Sequence, residues 1–78
     1  MKYQSYYTRS ITPREKQVLI LIANEYSTKQ IASELSVAYE TAHSHRKNLL
    51  RKLDAKNAAG LIRTAFEKGL LHISDRDT

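Results

Sequence analysis

The residues best equipped for chemistry crowd into one stretch. Between positions 41 and 56 stand Arg46, Lys47, Arg51, Lys52 and Lys56 against a single acid, Asp54. Fixed positive charge at that density attracts a polyanion. His43 and His45 form an H-x-H pair close to Glu40, and these residue types can ligate metals. On a helix, however, positions i and i+2 diverge by about 200° and do not face one another, so no metal site is expected. Glu15 would be a candidate acid catalyst, but it stands three residues after Thr12, where a glutamate caps a helix. Arg14 beside it suits either an acid across the domain or a phosphate. The chain contains no cysteine, which removes disulfides, thiolate catalysis and cysteine-ligated zinc. Gly60 and Gly69 stand alone, so there is no glycine-rich phosphate loop, and no Ser-His-Asp set follows from spacing. The expectation is therefore a binding protein and not an enzyme, with no cofactor and no metal.

The elements that must position the basic stretch can be read from caps and periodicity. Thr12, Pro13 and Glu15 form a capping box with proline at the first helical position. Val18, Leu19 and Ile22 then recur at helical spacing as a buried stripe, and this helix should end near Asn24 or Glu25. Ser27 and Gln30 form a second capping box. Ile31, Ala32 and Leu35 face inward on a helix of about two turns. The residues Ser36-Val37-Ala38-Tyr39 make a tight turn with Val37 as its apolar plug. A third helix runs from Tyr39 or Glu40 to Leu53. Asn57 caps a fourth, which Gly69 ends, with Leu70 folding back on Phe66 or Ala65. The fold class expected is all-α: four helices, with the second and third forming a helix-turn-helix.

On the third helix, Ala42, Leu49 and Leu53 share one direction and should be buried, flanked by His45 and Arg46. The opposite face carries Glu40, Ser44, Lys47 and Arg51, bordered by His43 and Asn48. A DNA major groove admits one α-helix, and the first residues of a recognition helix reach base edges. Here those are Glu40, His43, Ser44 and Lys47. Lysine donates to guanine O6 and N7, glutamate accepts from cytosine N4, and serine does either. Arg46, Arg51 and Lys52 lie further along and suit phosphates, which fix register and not sequence. His45 is expected at the core edge, with one ring nitrogen near a phosphate.

The stretch from Ile11 to Leu71 resembles the LuxR/FixJ-type (GerE-like) DNA-binding domain of bacterial transcription regulators. Four segments carry the resemblance: Ile11-Thr12-Pro13-Arg14-Glu15, Ser27 to Leu35, Thr41 to Leu53, and Phe66-Glu67-Lys68-Gly69-Leu70. The resemblance implies a tetrahelical domain that places its third helix in the major groove of double-stranded DNA. It implies base contacts from the positions of His43, Ser44 and Lys47. It implies phosphate contacts from Thr28 and Lys29 and from the later basic residues of the third helix, a set that Thr41 and Asn48 join. It also implies a dimer interface on the fourth helix, where Ala59, Ile62 and Phe66 are apolar beyond the needs of one core. A homodimer on an inverted repeat would set two recognition helices about 34 Å apart. The sequence departs from the family pattern at Ala38, a poor cap in a serine position, and at Tyr39, Ala42, Asp54 and Gly60.

Composition agrees with this. The 78 residues carry 13 Lys+Arg against 8 Asp+Glu, a net charge of +5. That length suits one small domain, which buries only roughly 60% of its unfolded surface. The longest apolar run, Val18 to Ala23, is far short of the about 20 residues that cross a bilayer. Lys2 is followed by no apolar segment, so no signal peptide is read. The expected location is the cytoplasm, and the expected role is transcription regulation by a complete short regulator or by the output end of a larger one. Residues 1–10, with three of the five tyrosines, are expected to be a flexible lead or linker. The domain should occupy 11–73, and 74–78 should be a frayed tail. The competing expectation is a helical interaction module that holds RNA polymerase or a partner regulator. RNA binding ranks lower, because the basic face lacks an aromatic stacking platform.

Overall fold

The computed structural model describes residues 11–75. Four helices follow one another: α1 Pro13–Ala23, α2 Thr28–Leu35, α3 Tyr39–Lys52 and α4 Ala58–Glu67. A 3-10 turn, Ile73–Asp75, closes the described chain, and no strand occurs among the described residues. The expected lead at 1–10 lies outside them. Of the tail expected over 74–78, Ser74 and Asp75 belong to the 3-10 turn, while 76–78 lie outside the described residues.

Both expected capping boxes form. The Glu15 N–H donates to Thr12 Oγ1 at 3.0 Å and the Thr12 N–H to Glu15 Oε1 at 3.0 Å. In the second box the Gln30 N–H donates to Ser27 Oγ at 3.1 Å and the Ser27 N–H to Gln30 Oε1 at 2.8 Å. Each box satisfies two backbone donors that a helix start leaves without partners. Asn57 caps α4 more simply, its Oδ1 accepting from the Gly60 N–H at 2.9 Å. Ala38 precedes α3 with no side-chain cap, as its lack of a polar group requires.

All four helices end alike. The residue after the last turn adopts a left-handed conformation: Glu25 (φ 68°), Ser36 (φ 57°), Asp54 (φ 53°) and Gly69 (φ 74°). The next N–H then reaches back to the last turn: Tyr26 to Leu21 O, Val37 to Ala32 O, Ala55 to Leu50 O and Leu70 to Ala65 O, all within 2.8–3.0 Å. This is the Schellman closure, with an apolar residue folding back after the left-handed one. Tyr26, Val37, Ala55 and Leu70 all pack against the core. Only Gly69 makes the turn without a Cβ penalty, so three of the four closures carry backbone strain.

These closures set the boundaries. Helix α1 stops at Ala23, one residue before the expected range, with Asn24 as its C-cap. The turn between α2 and α3 is Ser36 to Ala38, because Tyr39 is already helical. Helix α3 ends at Lys52 with Leu53 as its C-cap.

The core is one cluster drawn from every helix. Val18, Leu19, Ile31, Leu49, Leu61 and Leu71 are its fully enclosed large side chains, joined by Ala42, Leu53 and Ala65. Helix α3 packs mainly on α1 and α2, and α4 lies on α1 and α3. The last described residue returns to the end of α1, where Asn24 Nδ2 donates to Asp75 O at 3.1 Å.

Candidate nucleic-acid interface

The basic helix sits as its periodicity predicts. Ala42, Leu49 and Leu53 are buried. Glu40, Thr41, His43, Ser44, Lys47 and Arg51 are exposed, while His45, Arg46 and Asn48 are half-buried along the borders. Three small or apolar contacts thus anchor one face and leave the opposite face to solvent. Glu40 lies in the first turn and Arg51 and Lys52 in the last, so the charges also complement the helix dipole.

Two of the expected phosphate-binding residues come together. Thr28, in the first turn of α2, and Arg46, on α3, line one open recess with Tyr26, Ser27 and Ala58. Glu25 lines it as well, which limits how much anion it attracts. Lys29 beside Thr28 is exposed. Further along α3, Arg51 Nη2 donates to Asn48 Oδ1 at 3.2 Å, which holds the guanidinium on the outer face.

Lys52, expected among the phosphate contacts, also has an internal partner. Its Nζ lies 2.8 Å from Glu15 Oε1 and its side chain is only 16% exposed. Glu15 itself is 4% exposed. One carboxylate oxygen therefore accepts from the Thr12 N–H and from Lys52 together. The reason is tertiary. Packing α3 across α1 brings the last turn of one helix over the first turn of the other, and the nearest anion to Lys52 is an internal one. Burial alone would raise the Glu15 carboxyl, but the hydrogen bond from Lys52, the Thr12 N–H and the lysine charge outweigh it and hold the carboxyl below its ordinary value. Glu15 is the helix-capping residue expected, and in addition it clamps α3 to α1.

Helix α3 also carries an aromatic contact. The rings of Tyr39 and His43 lie 6.2 Å apart between centroids and within 8° of parallel. Their i, i+4 spacing was the available signal. Tyr39 is 52% exposed and is the first residue of α3. On α4, Ala59 is exposed, whereas Ile62 and Phe66 are half-buried and packed against the protein's own core. Part of the apolar excess assigned to a partner is therefore used internally.

Residues 9–65 match the family model for bacterial regulatory proteins of the luxR family. Transcriptional regulatory protein MctR of Rhizobium johnstonii is 46% identical over 61 residues, covering 78% of this chain and 28% of that protein. Transcriptional regulatory protein DesR of Bacillus subtilis is 42% identical over 59 residues, covering 76% and 30%. Transcriptional regulatory protein UhpA of Escherichia coli is 40% identical over 57 residues, covering 73% and 29%. The chain thus spans less than a third of the length of each of these relatives. With the helix-turn-helix, the exposed basic α3 and the family match in agreement, the chain belongs to the luxR family of bacterial regulatory proteins and carries its DNA-binding domain.

Proposed function

We propose that this domain regulates transcription in the cytoplasm by laying α3 in the major groove of double-stranded DNA. Glu40, His43, Ser44 and Lys47 read base edges. Thr28, Lys29, Thr41, Arg46, Asn48 and Arg51 grip phosphates on either side. The observation that carries the reading is the polarity of α3: its base-reading residues are all exposed while Ala42, Leu49 and Leu53 bury the other face. A cationic helix held rigidly with one face outward matches what a groove accepts. Neither a cofactor nor a catalytic group is needed, and affinity should fall steeply with salt as phosphates shed counterions.

Two copies are proposed to pair on an inverted repeat through Ala59 and the uncovered parts of Ile62 and Phe66 on α4. Selection from a random duplex library with the 78-residue chain tests both parts. Enrichment of a motif supports base reading, and two half-sites about one helical turn apart support the dimer. Binding that enriches nothing and vanishes with salt would instead favour an interaction module, with RNA polymerase or a partner regulator as its target.

A further inference from the structure

We propose that Tyr39 is a further sequence-reading residue, which works with His43 as one aromatic wedge and packs its ring on the 5-methyl group of a thymine. This rests on the DNA-reading function proposed above. Among the described residues Tyr39 is the one large apolar side chain counted as exposed, and single exposed apolar residues are ordinary. Two further observations separate it from that background. Its ring lies parallel to that of His43, a residue of the proposed base-reading set. It also begins a ridge: positions 39, 43 and 47 succeed one another at i, i+4 and i+8 along α3, the row that protrudes from a helix surface.

At 1.5 Å of rise per residue that ridge is about 12 Å long, the span of three to four base pairs at about 3.4 Å each. Lys47 supplies a donor at one end and His43 a ring edge in the middle. Tyr39 supplies an apolar face at the other end, where the recognition helix enters the groove. The thymine methyl is the apolar group that the major groove displays. Stacking also restricts the imidazole of His43 before DNA arrives, which reduces the ordering cost of the contact. No polar capping group competes at this helix start, because Ala38 offers none.

The test compares motifs selected by the wild-type chain, Tyr39→Ala and Tyr39→Phe. An exposed alanine in the first turn favours helix formation, and circular dichroism confirms that the variants fold. Tyr39→Ala should lose preference for thymine at one position beside that affected by His43→Ala, with the rest of the motif intact. Tyr39→Phe should retain that preference. Replacing the thymine by deoxyuridine should weaken wild-type binding about fourfold, the factor for one buried methyl group, and leave Tyr39→Ala unchanged. An unaltered motif in Tyr39→Ala, an even loss on all sequences, or an equal deoxyuridine effect in both proteins would each overturn the proposal while leaving the DNA-reading function standing. A wild-type chain that enriches no motif would overturn both.

Discussion

Replacing Lys52 by methionine separates a clamp from a phosphate contact. Methionine keeps most of the aliphatic stem and removes the ammonium, so Glu15 stays buried without its cation. Breaking a buried ion pair from one side costs about 3–5 kcal/mol. The 16% exposure of Lys52 places this pair at the low end, about 3 kcal/mol. For a small domain with a urea m-value of about 1 kcal/mol/M, the unfolding midpoint should fall by about 3 M. Glu15→Gln should cost less, about 1 kcal/mol, because the amide oxygen still accepts from the Thr12 N–H and Lys52 can turn to water. The double variant then gives the coupling energy.

The pH dependence has a definite sign. In the folded protein the Glu15 carboxyl lies below its ordinary value, so its stabilisation is complete above the carboxylate range and is lost as pH falls through the folded value. In Lys52→Met only the hydrogen bonds from Thr12 oppose burial, so the penalty is greatest near neutrality and shrinks on acidification. DNA binding supplies the second arm. At a temperature where both variants are folded, Lys52→Met should keep the wild-type salt slope, and Arg51→Ala should lower it by about 0.9 for one phosphate. A Lys52→Met penalty under about 0.5 kcal/mol, the range of ordinary surface substitutions, or one unchanged by acid, would refute the clamp. A salt slope reduced as in Arg51→Ala would show that Lys52 also contacts phosphate.

Lys47→Ala should weaken a selected site by about 1–3 kcal/mol and random duplex far less; equal losses on both, measured by fluorescence anisotropy, would remove it from base reading. Asp54→Gly should raise stability by about 0.5–1 kcal/mol in thermal unfolding, because a left-handed residue after α3 then carries no Cβ; a lower Tm would mean that the aspartate side chain contributes there. Ala59→Arg should leave the fold intact, since Ala59 is exposed. It should also abolish joint occupancy of two half-sites while sparing a single half-site, as read by gel shift. Retained joint occupancy would place the dimer contact elsewhere.

Much of this protein was legible along the chain because local rules govern it. The two capping boxes depend on residues three apart, and they appeared where Thr12 and Ser27 announced them. The buried line of Ala42, Leu49 and Leu53 follows from the helical period alone, and it settles which face of α3 looks outward. The bare start of α3 at Ala38 followed from the absence of a side-chain oxygen. The closing turns were harder. Gly69 advertised its left-handed conformation, but Glu25, Ser36 and Asp54 adopt it without glycine's freedom, driven by the apolar residue that follows each one into the core.

The sequence by itself determined the four helices, the outward basic face and the family, because caps, periods and motifs act over a few residues. Tertiary structure alone decided which internal partner Lys52 meets. Its partner Glu15 lies 37 positions away, and no spacing rule joins the end of α3 to the start of α1. Only the crossing of those helices brings the two charges to 2.8 Å. The same packing divided Ile62 and Phe66 between core and surface. A helical wheel shows the direction in which a side chain leaves its helix. How much of that side chain a neighbour covers depends on where the other helices stop, and the four closing turns set those positions.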